Sequence, residues 1–273
     1  MLFFLCFVFK QNNKMTLFEA CRSGNYELVK KLIDDGADVN VKDNYRTTPL
    51  IYAAKNGHTE ICKLLIDKGA DVNIMTGYNQ TALIFAIIED YKEIYELLIE
   101  NGANINIESY GGGFSESLVK ETDDFRITYM GTSDLTPLIF AILKRNKELC
   151  AYLISKGADT NFEGEYNFKP LIIASIYGYT DICKLLIENG ANVNATYYIG
   201  GCQMVEEFGF TALMIATIKG HKEICELLID AGAELDVSNK YYSELYKKGW
   251  TDCSRKLTFS RRKHLLDCYY KDW

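Results

Sequence analysis

The feature that most constrains this chain is that it repeats itself. Set against itself at a period of 33 residues, Gly36-Ala37-Asp38-Val39-Asn40 returns as Gly69-Ala70-Asp71-Val72-Asn73 and as Gly102-Ala103-Asn104-Ile105-Asn106. It returns again at Gly157-Ala158-Asp159-Thr160-Asn161, Gly190-Ala191-Asn192-Val193-Asn194 and Gly232-Ala233-Glu234-Leu235-Asp236. The glycine intervals are 33, 33, 55, 33 and 42, that is, 33 plus 22 and 33 plus 9 at the two odd places. Two insertions therefore interrupt a regular array. A unit of this length is one supersecondary element, too small to bury its own apolar face, so neighbours must stack.

Within a copy the residues spell two helices and a turn. Thr48 is a good N-cap, because its hydroxyl can accept from an orphan amide, and Pro49 suits the first helical position. Thr81, Thr136 and Thr211 repeat this, and Thr16 opens the first copy. Lys169 stands in the threonine position of the fifth copy, so a weaker cap is expected there. Leu50, Ala53 and Ala54 give a small, tightly packing face; Ile61, Leu64 and Leu65 give the i, i+3, i+4 stripe of a second helix. Gly69 ends that helix in the left-handed conformation. Two residues before each cap stand Arg46, Asn79, Asp134, Asn167 and Gly209, mostly types that tolerate positive φ, so a tight turn is expected at each tip.

Thr48-Pro49-Leu50, Ala53-Ala54, Gly57-His58, Leu64-Leu65 and Gly69-Ala70-Asp71-Val72-Asn73 together resemble the ankyrin repeat, over residues 15–239. The resemblance implies an all-α fold: an ankyrin-repeat solenoid of stacked helix-turn-helix units with β-hairpin-like finger loops. It also implies a concave surface of first helices and fingers that binds partner proteins. One departure is clear. The histidine that often follows Thr-Pro-Leu in the family is here Ile51, Ile84, Ile139, Ile172 or Met214, so its bond back to threonine is lost.

The flanks differ from the array. Residues 1–14 form an apolar N-terminal segment, with Met1 to Phe9 shorter than the roughly 20 apolar residues of a membrane span. Either translation begins at Met15, or residues 1–9 act as a targeting segment of a membrane-tethered or secreted protein. Residues 240–273 resemble a decayed seventh copy. Ser260 to Tyr270 reads as a basic cap helix, solvated by Arg255, Lys256, Arg261, Arg262 and Lys263. Net charge is −7, which argues against nucleic acid or an anionic membrane as partner.

Nine cysteines invite a disulfide or metal reading. Cys62, Cys150, Cys183 and Cys225 share one repeat column with Val29 and Tyr95, beside the apolar stripe. Stacked helices lie about 8–10 Å apart, beyond the roughly 7 Å Cα reach of a disulfide. Reduced core thiols and a reducing, cytoplasmic compartment are expected. The three histidines, His58, His221 and His264, offer no metal-ligand spacing, and no catalytic triad converges on one repeat edge. Gly111-Gly112-Gly113 lacks the strand and the Lys-Ser/Thr of a phosphate loop. No catalytic, metal or cofactor site is expected.

Two columns on the first helices stand out. One runs Glu19, Tyr52, Phe85, Phe140, Ile173, Ile215; the other runs Arg22, Lys55, Ile88, Leu143, Ile176, Ile218. From the third repeat onward the second column is aliphatic, where a solvated groove would be polar. Ile88, Leu143, Ile176 and Ile218 either form an apolar binding strip or pack between inner helices and under the inserted loops. Phe85 and Phe140 read better as buried. The insertions near 108–134 and 195–209 lengthen two fingers and carry Tyr110, Phe114 and Tyr129, then Tyr197 and Tyr198, types suited to contact surfaces. They contact a ligand or fold back over their own fingers. The expectation is a monomeric, non-catalytic adaptor for another protein, with Tyr52, Lys55, the aliphatic column and the inserted aromatics as candidate contacts.

Overall fold

The computed structural model describes residues 16–109, 135–163, 169–198 and 209–234. The N-terminal segment, most of both insertions and the basic C-terminal stretch lie outside the described residues. The chain divides into two compact units, Met1–Ser115 and Glu116–Trp273. The first holds three helix pairs: α1 (Leu17–Ser23) with α2 (Tyr26–Asp34), α3 (Pro49–Lys55) with α4 (Thr59–Asp67), and α5 (Ala82–Ile88) with α6 (Lys92–Glu100). First helices pack α1 on α3 on α5, and second helices pack α2 on α4 on α6. In the second unit α7 (Pro137–Leu143) pairs with α8 (Lys147–Ser155), α9 (Pro170–Ile176) with α10 (Thr180–Glu188), and α11 (Ala212–Lys219) with α12 (Lys222–Asp230). Here α7, α9 and α11 stack, as do α8, α10 and α12. A hairpin of β1 (Thr196–Tyr198) and β2 (Gly209–Thr211) precedes α11, with Thr196 opposite Thr211 and Tyr198 opposite Gly209.

Helices of seven to nine residues do not persist alone in water. Their stability comes from the faces they bury. Leu50, Leu83, Leu138, Leu171 and Leu213 are at most 2% exposed, and so are Ile61, Ile94, Ile182 and Ile224 on the second helices. Ile51, Ile84, Ile139, Ile172 and Met214 are buried too, so apolar packing has taken over the place of the family's histidine. Cys62, Cys150, Cys183 and Cys225 lie buried and unbridged in the column they share with Val29 and Tyr95, and Cys21 on α1 is likewise free. Desolvation pushes the thiols of Cys21, Cys62, Cys150 and Cys183 up to about 12.

The helix starts follow the sequence with one exception. Thr16, Thr48, Thr136 and Thr211 accept hydrogen bonds from the amides of Glu19, Ile51, Ile139 and Met214 at 3.3–3.4 Å. Thr16 and Glu19 close a reciprocal capping box. Lys169 makes no cap bond, as its chemistry requires, and pairs instead with Glu163. Thr81 corrects the expectation. It opens α5 in the extended conformation of a cap, yet its side chain receives no amide, and its buried Oγ1 meets no partner among the described residues. At the tips, Asn79 has φ 56° and Arg46 φ 62°, so the one residue type not suited to that conformation adopts it as well. Gly209, expected in such a turn, belongs to strand β2. The second insertion leaves that finger with a paired base, Thr196–Tyr198 against Gly209–Thr211.

Within each unit asparagine joins one repeat to the next. Asn40 Nδ2 donates to the Gly69 carbonyl at 3.0 Å while its Oδ1 accepts from the Asp71 amide at 2.8 Å. Asn73 does the same to Gly102 and Asn104, and Asn161 to Gly190 and Asn192. Asn194 accepts from the Glu234 amide at 2.7 Å. Behind each asparagine the residue two places earlier, Asp38, Asp71, Asp159 or Asn192, accepts its backbone N–H and sets the turn.

A second register device lies at the helix–helix turns. Gly24 (φ 75°) and Gly178 (φ 72°) each face the imidazole of the following repeat, where an added Cβ would come within 2.6 Å of His58 or His221. The ring nitrogens Nε2 of those histidines lie 3.2 Å from the Arg22 carbonyl and 3.4 Å from the Ile176 carbonyl. Both histidines are thus inter-repeat contacts.

Candidate functional site

In the first unit the inner face is organised around Tyr52. Its hydroxyl donates to Asp43 Oδ2 at 2.8 Å, fastening the first finger to α3. Asp43 Oδ1 meanwhile accepts the amides of Tyr45 and Thr47, both at 2.8 Å, which builds the finger's turn. Partial burial works to raise the Asp43 carboxyl. The hydrogen bonds from Tyr52, Thr47 and Tyr45 outweigh it and hold the group below its ordinary value. Burial first, and then the neighbouring carboxylate, raise the Tyr52 phenol. Phe18 meets the Tyr52 ring edge-on at 6.0 Å. Tyr52 is therefore a half-buried strut between helix and finger, with only part of its ring left for another molecule.

Lys55, one turn further along α3, is exposed and lays its ammonium 5.1 Å from the centre of the Phe85 ring on α5. Phe85 itself is buried, and Ile88 is half-buried. The next finger repeats the design of the first with Thr76 in place of Asp43: its Oγ1 accepts the amides of Tyr78 and Gln80. The Gly77 amide donates to the Tyr45 carbonyl at 3.0 Å, tying the two fingertips together. Tyr45 is 74% exposed and Tyr78 54%. These tyrosines stand 33 residues apart, each three before a cap threonine, and lie outside both inner-helix columns. Their signal was in the sequence, because the same period applies to the fingers.

In the second unit the two columns separate cleanly. Phe140, Ile173 and Ile215 are buried on α7, α9 and α11. Leu143 and Ile176 are half-buried, and Ile218 is 48% exposed. Adjacent members of this second column sit on helices that pack against one another, so three aliphatic side chains line one face of the stack. Tyr197 and Tyr198 fall in strand β1, opposite Phe210 and Gly209. Tyr110, Phe114 and Tyr129 lie outside the described residues.

Among the described residues no group of three His, Cys, Asp or Glu side chains is placed to hold a metal ion, and no helix is long and apolar enough to cross a membrane.

Family models for ankyrin repeats match residues 17–109 and 114–197, and a further one matches 171–229. Comparison with curated protein sequences yields no match. Among solved structures, the chain is similar to an ankyrin repeat domain from Acinetobacter baumannii AYE, at 25% identity over 80% of this chain and 98% of that one, with a TM-score of 0.64. It is similar to the human ASB11 ankyrin repeat domain at 25% identity, covering 84% and 88%, with a TM-score of 0.58. The ankyrin repeat domain of Bcl-3, a member of the IkappaB family, shares the fold at 24% identity and a TM-score of 0.63, covering 81% and 88%. With paired helices, left-handed glycines and asparagine-linked turns recurring at the same interval, and with these models covering most of its length, the chain belongs to the ankyrin-repeat family.

Proposed function

We propose that this chain is a non-catalytic scaffold that holds a partner protein on its inner-helix face and lengthened fingers, as a cytoplasmic monomer. Ankyrin repeats are generally protein-interaction modules, and the observation that carries the reading further is the exposure along one column. A helix face that served only packing would close over its aliphatic side chains as the Phe140 column does. The Leu143 column leaves them partly open, ending at Ile218. The paired strands β1 and β2 support a finger projecting beside that face. Buried, unbridged thiols support a reducing compartment.

Affinity capture with the intact chain beside a Leu143→Glu, Ile176→Glu variant tests this. A carboxylate at each of two central positions should cut recovery of the bound protein by about tenfold or more, the effect of about 1.4 kcal/mol or more in binding. The melting temperature should move by only a few degrees, because both positions are already half open to water. Equal recovery by a folded variant would refute the assignment.

A further inference from the structure

The first unit separates its charges. Residues 16–109 carry nine Lys/Arg and fifteen Asp/Glu, a net of −6. Ten of the fifteen carboxylates lie on the outer helices α2, α4 and α6 and the turns that follow them. Three of the five lysines there find partners: Lys63 with Glu60 at 2.7 Å, Lys92 with Glu96 at 3.8 Å and Lys68 with Asp34 at 4.0 Å. The inner helices and first finger instead carry Arg22, Lys42, Arg46 and Lys55, all exposed, and none makes an ion pair among the described residues. Of the other five carboxylates, Glu89 and Asp90 lie exposed in the turn after α5, and three share the cations' side. Glu19 is held by the Thr16 amide at 2.8 Å, Asp43 by two amides and Tyr52, and Glu108 belongs to the third finger. The first two are bound to hydrogen-bond donors of their own turns, which leaves the neighbouring cations unmatched. Beside those cations stand the exposed rings of Tyr45 and Tyr78.

We infer that this face takes an acidic, extended peptide segment of a partner protein, with Arg22, Arg46 and Lys55 meeting its carboxylates and Tyr45 and Tyr78 packing along it. The inference rests on the scaffold reading above and gives the chemistry of the partner at the first unit. Arg22 and Lys55 occupy equivalent positions on α1 and α3. Packed helices lie about 8–10 Å apart, which three residues of a polyproline II chain span at about 3.1 Å each with side chains i and i+3 on one face, so carboxylates at i and i+3 match the spacing. Each such contact is a charge-assisted bond to a cation that makes no ion pair among the described residues. Tyrosine and arginine are the residue types enriched where proteins meet. Tyr52 ties the site together, because its hydroxyl is bonded to Asp43 in the finger that carries Tyr45 and Arg46.

Selection of short random displayed peptides on the full chain, followed by fluorescence anisotropy with a selected peptide, tests the inference. Expected are peptides rich in Asp and Glu at a spacing of three, binding about tenfold weaker to Arg22→Glu, Lys55→Glu. Their affinity should fall between about 50 and about 300 mM salt and stay unchanged in Leu143→Glu, Ile176→Glu. Because Lys55 covers Phe85, a second variant, Arg22→Glu with Arg46→Glu, repeats the test without touching that contact. Peptides with no acidic preference, binding indifferent to both variants, or displacement of the peptide by single-stranded DNA would overturn the inference. Apolar peptides lost only in the Leu143, Ile176 variant would overturn it while leaving the scaffold reading intact. Selected peptides indifferent to every variant would remove both.

Discussion

Thr81 shows how one residue can keep a shape after losing its bond. It holds the extended backbone of a helix cap, φ −98° and ψ 170°, while its buried hydroxyl is left without a partner among the described residues. Ile84, which stands where the family's histidine would reach back, is fully buried and offers no donor from its side chain. A desolvated, unsatisfied hydroxyl costs about 1–3 kcal/mol. Thr81→Val keeps the β-branched shape and removes the hydroxyl, and should stabilise the protein by about 1 kcal/mol, read as a higher urea midpoint with an unchanged slope. The same exchange at Thr48, whose hydroxyl accepts from Ile51, should destabilise by a similar amount. At this scale threonine identity was legible and hydrogen-bond status was not, because a cap bond depends on a few tenths of an ångström. Lys169 was the opposite case: its missing cap followed from chemistry alone.

Between elements the decisive side chain is the asparagine that closes each Gly-Ala-Asp/Asn-X-Asn run. Asn73 makes two bonds to backbone 29 and 31 residues ahead, one donated and one accepted. Both are exposed to solvent, so each contributes modestly. Asn73→Ala should cost about 1–2 kcal/mol by denaturant unfolding, whereas Asn44→Ala at the first fingertip should stay within about 0.5 kcal/mol. The run is plain in the sequence, but its most conspicuous member there is the glycine, whose role is local. What the asparagine does is visible only once the next repeat is in place. The same holds for Tyr52 and Asp43, nine residues apart but joined only after the finger folds back on α3. His58 and His221 likewise gain their meaning from the glycines they cover in the preceding repeat.

Across the molecule, repetition made the architecture legible and insertion hid the rest. Six copies let each position be judged against its equivalents, so core columns, caps and helix order followed from simple rules. The inserted stretches have no second copy to be compared with, and only the paired base of the second one, Thr196–Tyr198 with Gly209–Thr211, is described. The two inner columns also needed coordinates. Residues three apart share a helix face, and only burial separates Ile215, 8% exposed, from Ile218, 48% exposed. Ile215→Ala should therefore cost about 2–4 kcal/mol and Ile218→Ala less than about 1 kcal/mol in thermal or urea unfolding. Equal losses would mean that the face assigned to partner binding is part of the core.

The asparagine clasp also bears on how such an array can change. It grips main-chain atoms alone and is blind to the side chains of the repeat it holds. Aspartate at 71, asparagine at 104 and 192, and glutamate at 234 all serve as the recipient, because only their amides are used. A copy cut just after one asparagine and ending on the next would carry its own fastening at one end and a receptor at the other. Repeats of this kind can be duplicated, shuffled or left to drift in sequence without redesigning the seam, which leaves the fingers and inner faces free to diversify.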